Sequence, residues 1–80
     1  MVRIRLFAAL RDAAGTSEVH LDPAPLGDLL DVLKDRFGAR FTEVLGYASV
    51  MVDGERRTDP ARQVDDGAEV ALLPPFSGGA

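Results

Sequence analysis

An 80-residue chain with a net charge of −4 and no cysteine is a single domain with a small core, which neither disulfides nor a cysteine-held metal can reinforce. One histidine makes no metal site alone, and nine basic residues spread among thirteen acidic ones argue against nucleic acid as the main partner. No apolar run approaches the ~18 residues of a membrane span, and "MVRIRLFAAL" is too short and too interrupted by arginine for a signal peptide, so a cytoplasmic protein without membrane contact is expected.

"VRIRLFA" alternates with period two, placing Val2, Ile4 and Leu6 on one face of a strand and Arg3, Arg5 and Phe7 on the other. "LRDAAG" reads as a short helical turn that Gly15 ends in a left-handed conformation. "SEVHLD" alternates again, with Val19 and Leu21 inward and Glu18 and His20 outward, so the two strands form a hairpin with a long connection. From Pro25 the period changes. Leu26, Leu29, Leu30, Leu33 and Phe37 define one face of an amphipathic helix, with Pro25 suited to its first position and Gly38 to its end. "RFTEVLG" adds a turn of helix at most.

"SVMVDGERR" gives a strand with Val50 and Val52 on one face, an Asp53-Gly54 turn and a short return strand. "TDPARQVDDG" is a loop in which Val64 plugs the core. "AEVALLP" is the last strand, with Val70 and Leu72 on one face and Ala71 and Leu73 on the other, and Pro74-Pro75 ends it. The order strand, strand, helix, strand, short strand, strand predicts an α+β chain. Its simplest packing sets one main amphipathic helix on one face of a mixed sheet of four to five strands, with the first and last strands parallel and adjacent at its centre. That is the β-grasp, or ubiquitin-like, fold. The domain is expected over residues 1–75, with a tail over 76–80.

Two apolar residues break the parity. Phe7 and Leu73 face outward near the C-terminal ends of neighbouring strands, and with Phe76 they form an apolar patch at the root of the tail. The turn and the tail would cover them in one reading; in the other the patch docks a partner, as exposed apolar clusters do. Pro74-Pro75 imposes an extended path, and Pro74 to Gly79 can reach roughly 20 Å. Gly78 and Gly79 carry no side chains, so they can thread a narrow channel and present a carboxylate to a buried site. With no cysteine, the chain cannot carry sulfur as a persulfide or thioester of its own. His20 reads as a solvated strand histidine, Asp28, Asp31 and Asp35 as a solvated helix face, and Asp66-Gly67 as turn chemistry. Lys34 is the only lysine.

The motifs "RLFAALRDAAG", "GDLLDVLKDRF", "DGAEVALLPP" and "SGG", in this order, resemble the MoaD/ThiS family of ubiquitin-like sulfur carriers, most closely its molybdopterin synthase small subunits. The resemblance implies a carrier and not an enzyme. It binds no cofactor. A partner adenylating enzyme of the MoeB/ThiF type uses ATP to activate the Gly79 carboxylate, and sulfur displaces AMP to leave a thiocarboxylate. The tail, slim at Gly78, then enters the molybdopterin synthase large subunit or another sulfur-accepting enzyme. Phe7, Leu73, Pro75 and Phe76 would dock the partners, and Arg11 would pair with a partner carboxylate. Ala80 departs from the family pattern, because it turns the Gly79 carboxyl into an amide. Removal of Ala80 by a protease is therefore implied before activation. Carriers for cysteine, thiamin or another metabolite, a protein modifier joined to lysines through Gly79, and a β-grasp interaction module without tail chemistry are the alternatives.

Overall fold

The computed structural model describes residues 1–75. Phe76, Gly78, Gly79 and Ala80, and with them the expected tail, lie outside the described residues. The elements in chain order are β1 (Val2–Leu6), α1 (Ala8–Ala14), β2 (Glu18–Leu21), β3 (Ala24–Pro25), α2 (Leu26–Leu45), β4 (Ser49–Val52), β5 (Glu55–Arg56), β6 (Gln63–Val64) and β7 (Glu69–Leu73). Five strands form a mixed sheet in the order β2-β1-β7-β4-β5. β1 pairs antiparallel with β2 and parallel with β7, in register from Arg3 opposite Glu69 to Leu6 opposite Leu72. This is the β-grasp arrangement that the alternating segments predict.

The alternation builds the core directly. Val2, Ile4 and Leu6 of β1 and Val70 and Leu72 of β7 are buried, while Arg3 and Arg5 face solvent. α2 covers that face with Leu26, Leu29 and Leu33, and α1 adds Leu10. Each fully buried side chain of this size contributes about 1.5–3 kcal/mol relative to exposure. Among the described residues no helix packs on the opposite face of the sheet. That face presents Arg3, Arg5, Glu18, His20, Ala71, Leu73, Ser49 and Met51.

Two local features differ from the sequence expectation, and a third is not visible in the sequence. First, α2 continues past Gly38. That glycine sits at φ 85 and ψ −163, a break that joins two helical segments across a kink. The second segment exists because Phe41 and Leu45 bury against the core, and Phe41 is 0% exposed. Gly38 therefore does stop the first run, as expected, but the chain resumes a helix of more than one turn. Second, Pro25 is the residue before the helix and not its first residue. It is extended at φ −57 and ψ 146 and pairs with Gln63 in a small two-stranded sheet of β3 and β6. Third, the helix start has no side-chain cap, but its first N–H groups are not left unpaired. Leu26 N donates to the Arg62 carbonyl at 2.9 Å and Gly27 N to the Pro60 carbonyl at 2.8 Å. Gly27 also keeps this approach close: a Cβ there would lie 3.0 Å from the Pro60 Cβ, so Pro60 would have to shift by a few tenths of an ångström to admit one.

The turn chemistry holds. Asp53 and Gly54 take φ 50 and φ 83, the two positive values of a type I′ hairpin turn. Gly15 closes α1 at φ 75 with its N–H on the Arg11 carbonyl. Val64, at 2% exposure, plugs the loop into the core as expected.

Candidate docking site at the tail root

β1 and β7 run parallel, so their C-terminal ends reach the same edge of the domain. Leu73 continues the outward parity of Ala71 and stands opposite Ser49 of β4. Phe7 follows Leu6, and Ala8, at φ 48, swings the chain out of the sheet into α1. These constraints bring residues from both ends of the chain together. Phe7, Ser49, Met51, Leu73, Pro74 and Pro75 line an open groove of about 570 Å³, and Arg56 lines it with them. Phe7, Leu73 and Pro74 are half-buried and Pro75 is exposed. The tail therefore leaves the domain from the wall of an apolar groove.

Pro74 and Pro75 also line a second groove of about 220 Å³, with Ala9, Val44 and Tyr47. The two prolines form a ridge between the grooves. Tyr47 is 74% exposed, and nothing in the sequence pattern had marked it. A third concavity of about 260 Å³ lies between α2 and β5, lined by Leu26, Leu30, Val50 and Thr58.

Of the expected site residues, the structure brings Phe7, Leu73 and Pro75 into one groove. Arg11 lines neither groove beside the prolines. It is exposed on α1 with its Nε 3.8 Å from the Asp12 carboxylate. The sequence reading missed Arg5, whose guanidinium lies 5.2 Å from the centre of the Phe7 ring, a cation–π contact on the groove wall. It also missed that His20 has an acidic neighbour on its own strand face. His20 Nε2 and Glu18 Oε2 lie 2.6 Å apart, and Arg3 Nε donates to Glu18 Oε1 at 2.8 Å. These bonds, His20 first and Arg3 second, hold the Glu18 carboxyl below the usual glutamate range. A period-two pattern places residues 18 and 20 side by side, so this pair was available from parity alone.

Among the described residues no polar or charged side chain is buried. None of their His, Asp or Glu side chains cluster in threes to hold a metal. No described helix is long and apolar enough to cross a membrane. The groove offers shape and apolar area, with no desolvated acid, base or nucleophile beside it. Its character is that of an apolar contact surface and not of a reaction site.

A five-stranded mixed sheet with a long helix on one face and an apolar groove at the exit of its last strand defines a ubiquitin-like β-grasp protein. The chain belongs to the ThiS family, whose model matches residues 4–79. It is 38% identical to the molybdopterin synthase sulfur carrier subunit of Phaeosphaeria nodorum, over 95% of this chain and 88% of that one. Among solved structures it is similar to the small archaeal modifier protein SAMP1 of Haloferax volcanii, with TM-score 0.78 and 33% identity over 98% of both chains. It also superposes on a chain in the complex of subunits 1 and 2 of molybdopterin-converting factor from Helicobacter pylori, with TM-score 0.75 over 98% of this chain and 97% of that one. At 22% identity that likeness shows the fold. The resemblance to MoaD/ThiS sulfur carriers is thus met at the level of the family.

Proposed function

We propose that the chain carries sulfur on the carboxyl group of Gly79 and delivers it in molybdopterin synthesis. The observation that carries this reading is the apolar groove of Phe7, Leu73 and Pro75 at the tail root, on a chain 38% identical to a molybdopterin synthase sulfur carrier subunit. The groove positions a partner beside the tail, which raises the effective concentration of the reacting carboxyl in the partner's site. Apart from that terminal carboxylate, the chain supplies no acid, base or nucleophile to the chemistry, and its role is non-catalytic.

The steps follow from the chemistry of an unactivated carboxyl. A protease first hydrolyses the Gly79–Ala80 amide and releases alanine. The Gly79 carboxylate then attacks the α-phosphate of ATP on an adenylating enzyme, and pyrophosphate leaves. Hydrosulfide attacks the acyl carbon of the adenylate, AMP leaves, and loss of a proton gives the thiocarboxylate. On the synthase large subunit the thiocarboxylate sulfur attacks an electrophilic carbon of the pterin precursor with loss of an oxygen leaving group, and water hydrolyses the resulting thioester, leaving a thiol on the pterin and the Gly79 carboxylate on the carrier. ATP is thus consumed on the partner and is not held by this chain.

Intact mass of the protein from its own source tests this. The expected result is loss of one alanine residue and a fraction with one oxygen replaced by sulfur. A persistent, unmodified "SGGA" end while the pathway runs would overturn it.

The likeness to SAMP1 favours a second reading, in which Gly79 is joined to lysines of other proteins. Higher-mass conjugates that vanish when Gly78 and Gly79 are deleted would mark that reading.

A further inference from the structure

The groove carries a charge pattern that its apolar lining leaves unexplained. Arg5 stands opposite Ala71, Ala71 opposite Met51, and Met51 opposite Arg56. These four residues form one cross-strand row on the open face of the sheet, next to the Leu73–Ser49 pair. Three interstrand spacings separate the two arginine Cα atoms, about 14 Å. The middle of the row is apolar and its two ends are cationic.

Neither arginine has a carboxylate within ion-pair distance among the described residues, whereas on the same sheet face Arg3 has two, Glu18 and Glu69. Glu18, the Cα partner of Arg5, turns its carboxylate to Arg3 and His20 instead. Arg5 is left over the Phe7 ring, and Arg56 is left lining the groove. The chain has thirteen acidic residues and a net charge of −4, yet no acidic side chain lines this groove.

We infer that Arg5 and Arg56 are specificity-determining contacts of the docking groove, and that the partner protein it fits presents an apolar ridge between two carboxylates. This inference rests on the docking step of the proposed function. Two cations at the two ends of an apolar cross-strand row, Arg56 lining the groove and Arg5 over its Phe7 wall, fix the rotation of a partner about the groove, which a single apolar contact cannot do. They also speed encounter with an acidic surface and disfavour a basic one. The rotation matters because the tail leaves from the same groove and must point into the partner's site.

The test measures association and dissociation rates of the full chain with the molybdopterin synthase large subunit of the same organism, at low and at high salt. The variants are Arg5→Gln, Arg56→Gln, the double variant, and Arg36→Gln on the exposed side of α2 as a charge control. The double variant is expected to associate about 5–10-fold more slowly at low salt and to lose most of the salt dependence, with dissociation changed less than about twofold. Arg5→Lys and Arg56→Lys should keep the rate, because they keep the charge. A double variant indistinguishable from Arg36→Gln overturns the inference. Leu73→Ala in the same assay separates the two levels. If it weakens binding while the arginine variants do not, the charge pattern alone is wrong. If neither it nor the wild-type chain shows specific binding, the docking reading fails and takes the inference with it.

Discussion

The Arg3 Nε hydrogen-bonds the Glu18 Oε1 across the β1–β2 ladder at 2.8 Å, two residues out of direct register, since the Cα partner of Arg3 is His20 and that of Glu18 is Arg5. The diagonal bond ties three polar side chains on the open sheet face, because His20 meets the other Glu18 oxygen. Its effect on acid stability has a definite sign. The Glu18 pKa is depressed in the folded state, so its contribution is complete above the unfolded glutamate pKa of about 4.3 and is lost as pH falls through the lower folded value. Acid unfolding of Glu18→Gln should show a shallower pH dependence in that window than the wild type, and a carboxyl NMR titration should find Glu18 below the other glutamates. Equal slopes in the two proteins would refute the network's role.

At Gly38 the pair φ 85, ψ −163 lies in a region that only glycine occupies readily. A Cβ there meets no atom within 4 Å, so Gly38→Ala isolates the backbone cost. Thermal unfolding should show a loss of about 1–3 kcal/mol. Asn should not rescue it, because the left-handed conformation that Asn tolerates has a different ψ.

Phe41 tests whether the second segment of α2 belongs to the core. It is 0% exposed and its ring lies 5.2 Å from that of Phe37. Phe41→Ala should cost about 3–5 kcal/mol in chemical denaturation. In a domain this small, that is a large part of the total stability.

Phe7→Ala and Leu73→Ala separate binding from folding. Both side chains are half-buried on the groove wall, so their loss should cost less stability than Phe41→Ala. Calorimetry against the synthase large subunit should show binding weakened at least about tenfold for Leu73→Ala, as for a central apolar contact of an interface. Unchanged affinity for both variants would remove the groove from the mechanism.

Much of this was legible in the residues because strict alternation leaves few choices. Val2, Ile4, Leu6, Val70 and Leu72 could be assigned to the core by parity, and the same parity made Phe7 and Leu73 conspicuous. The β3–β6 pair was not legible, since two residues are too few to show a period. The continuation of α2 could have been found: Phe37, Phe41 and Leu45 recur every four residues, but Gly38 masked the pattern. Backbone capping of α2 by the Pro60 and Arg62 carbonyls has no sequence signature, because any residue supplies a carbonyl. Arg5 over Phe7 depends on where Glu18 turns its carboxylate, which parity does not decide.

The parallel pairing of β1 with β7 joins residues 3–6 to residues 69–72 at the centre of the sheet. Such long-range pairing is slow to form compared with local helices, and the groove does not exist until it is complete, since Phe7 and Leu73 come together only through it. A nascent or partly unfolded chain therefore shows its tail sequence without the surface that recruits a partner. In the proposed carrier cycle, recognition through the groove would then act as a proofreading step, one that spends partner encounters and ATP only on chains whose first and last strands have already met.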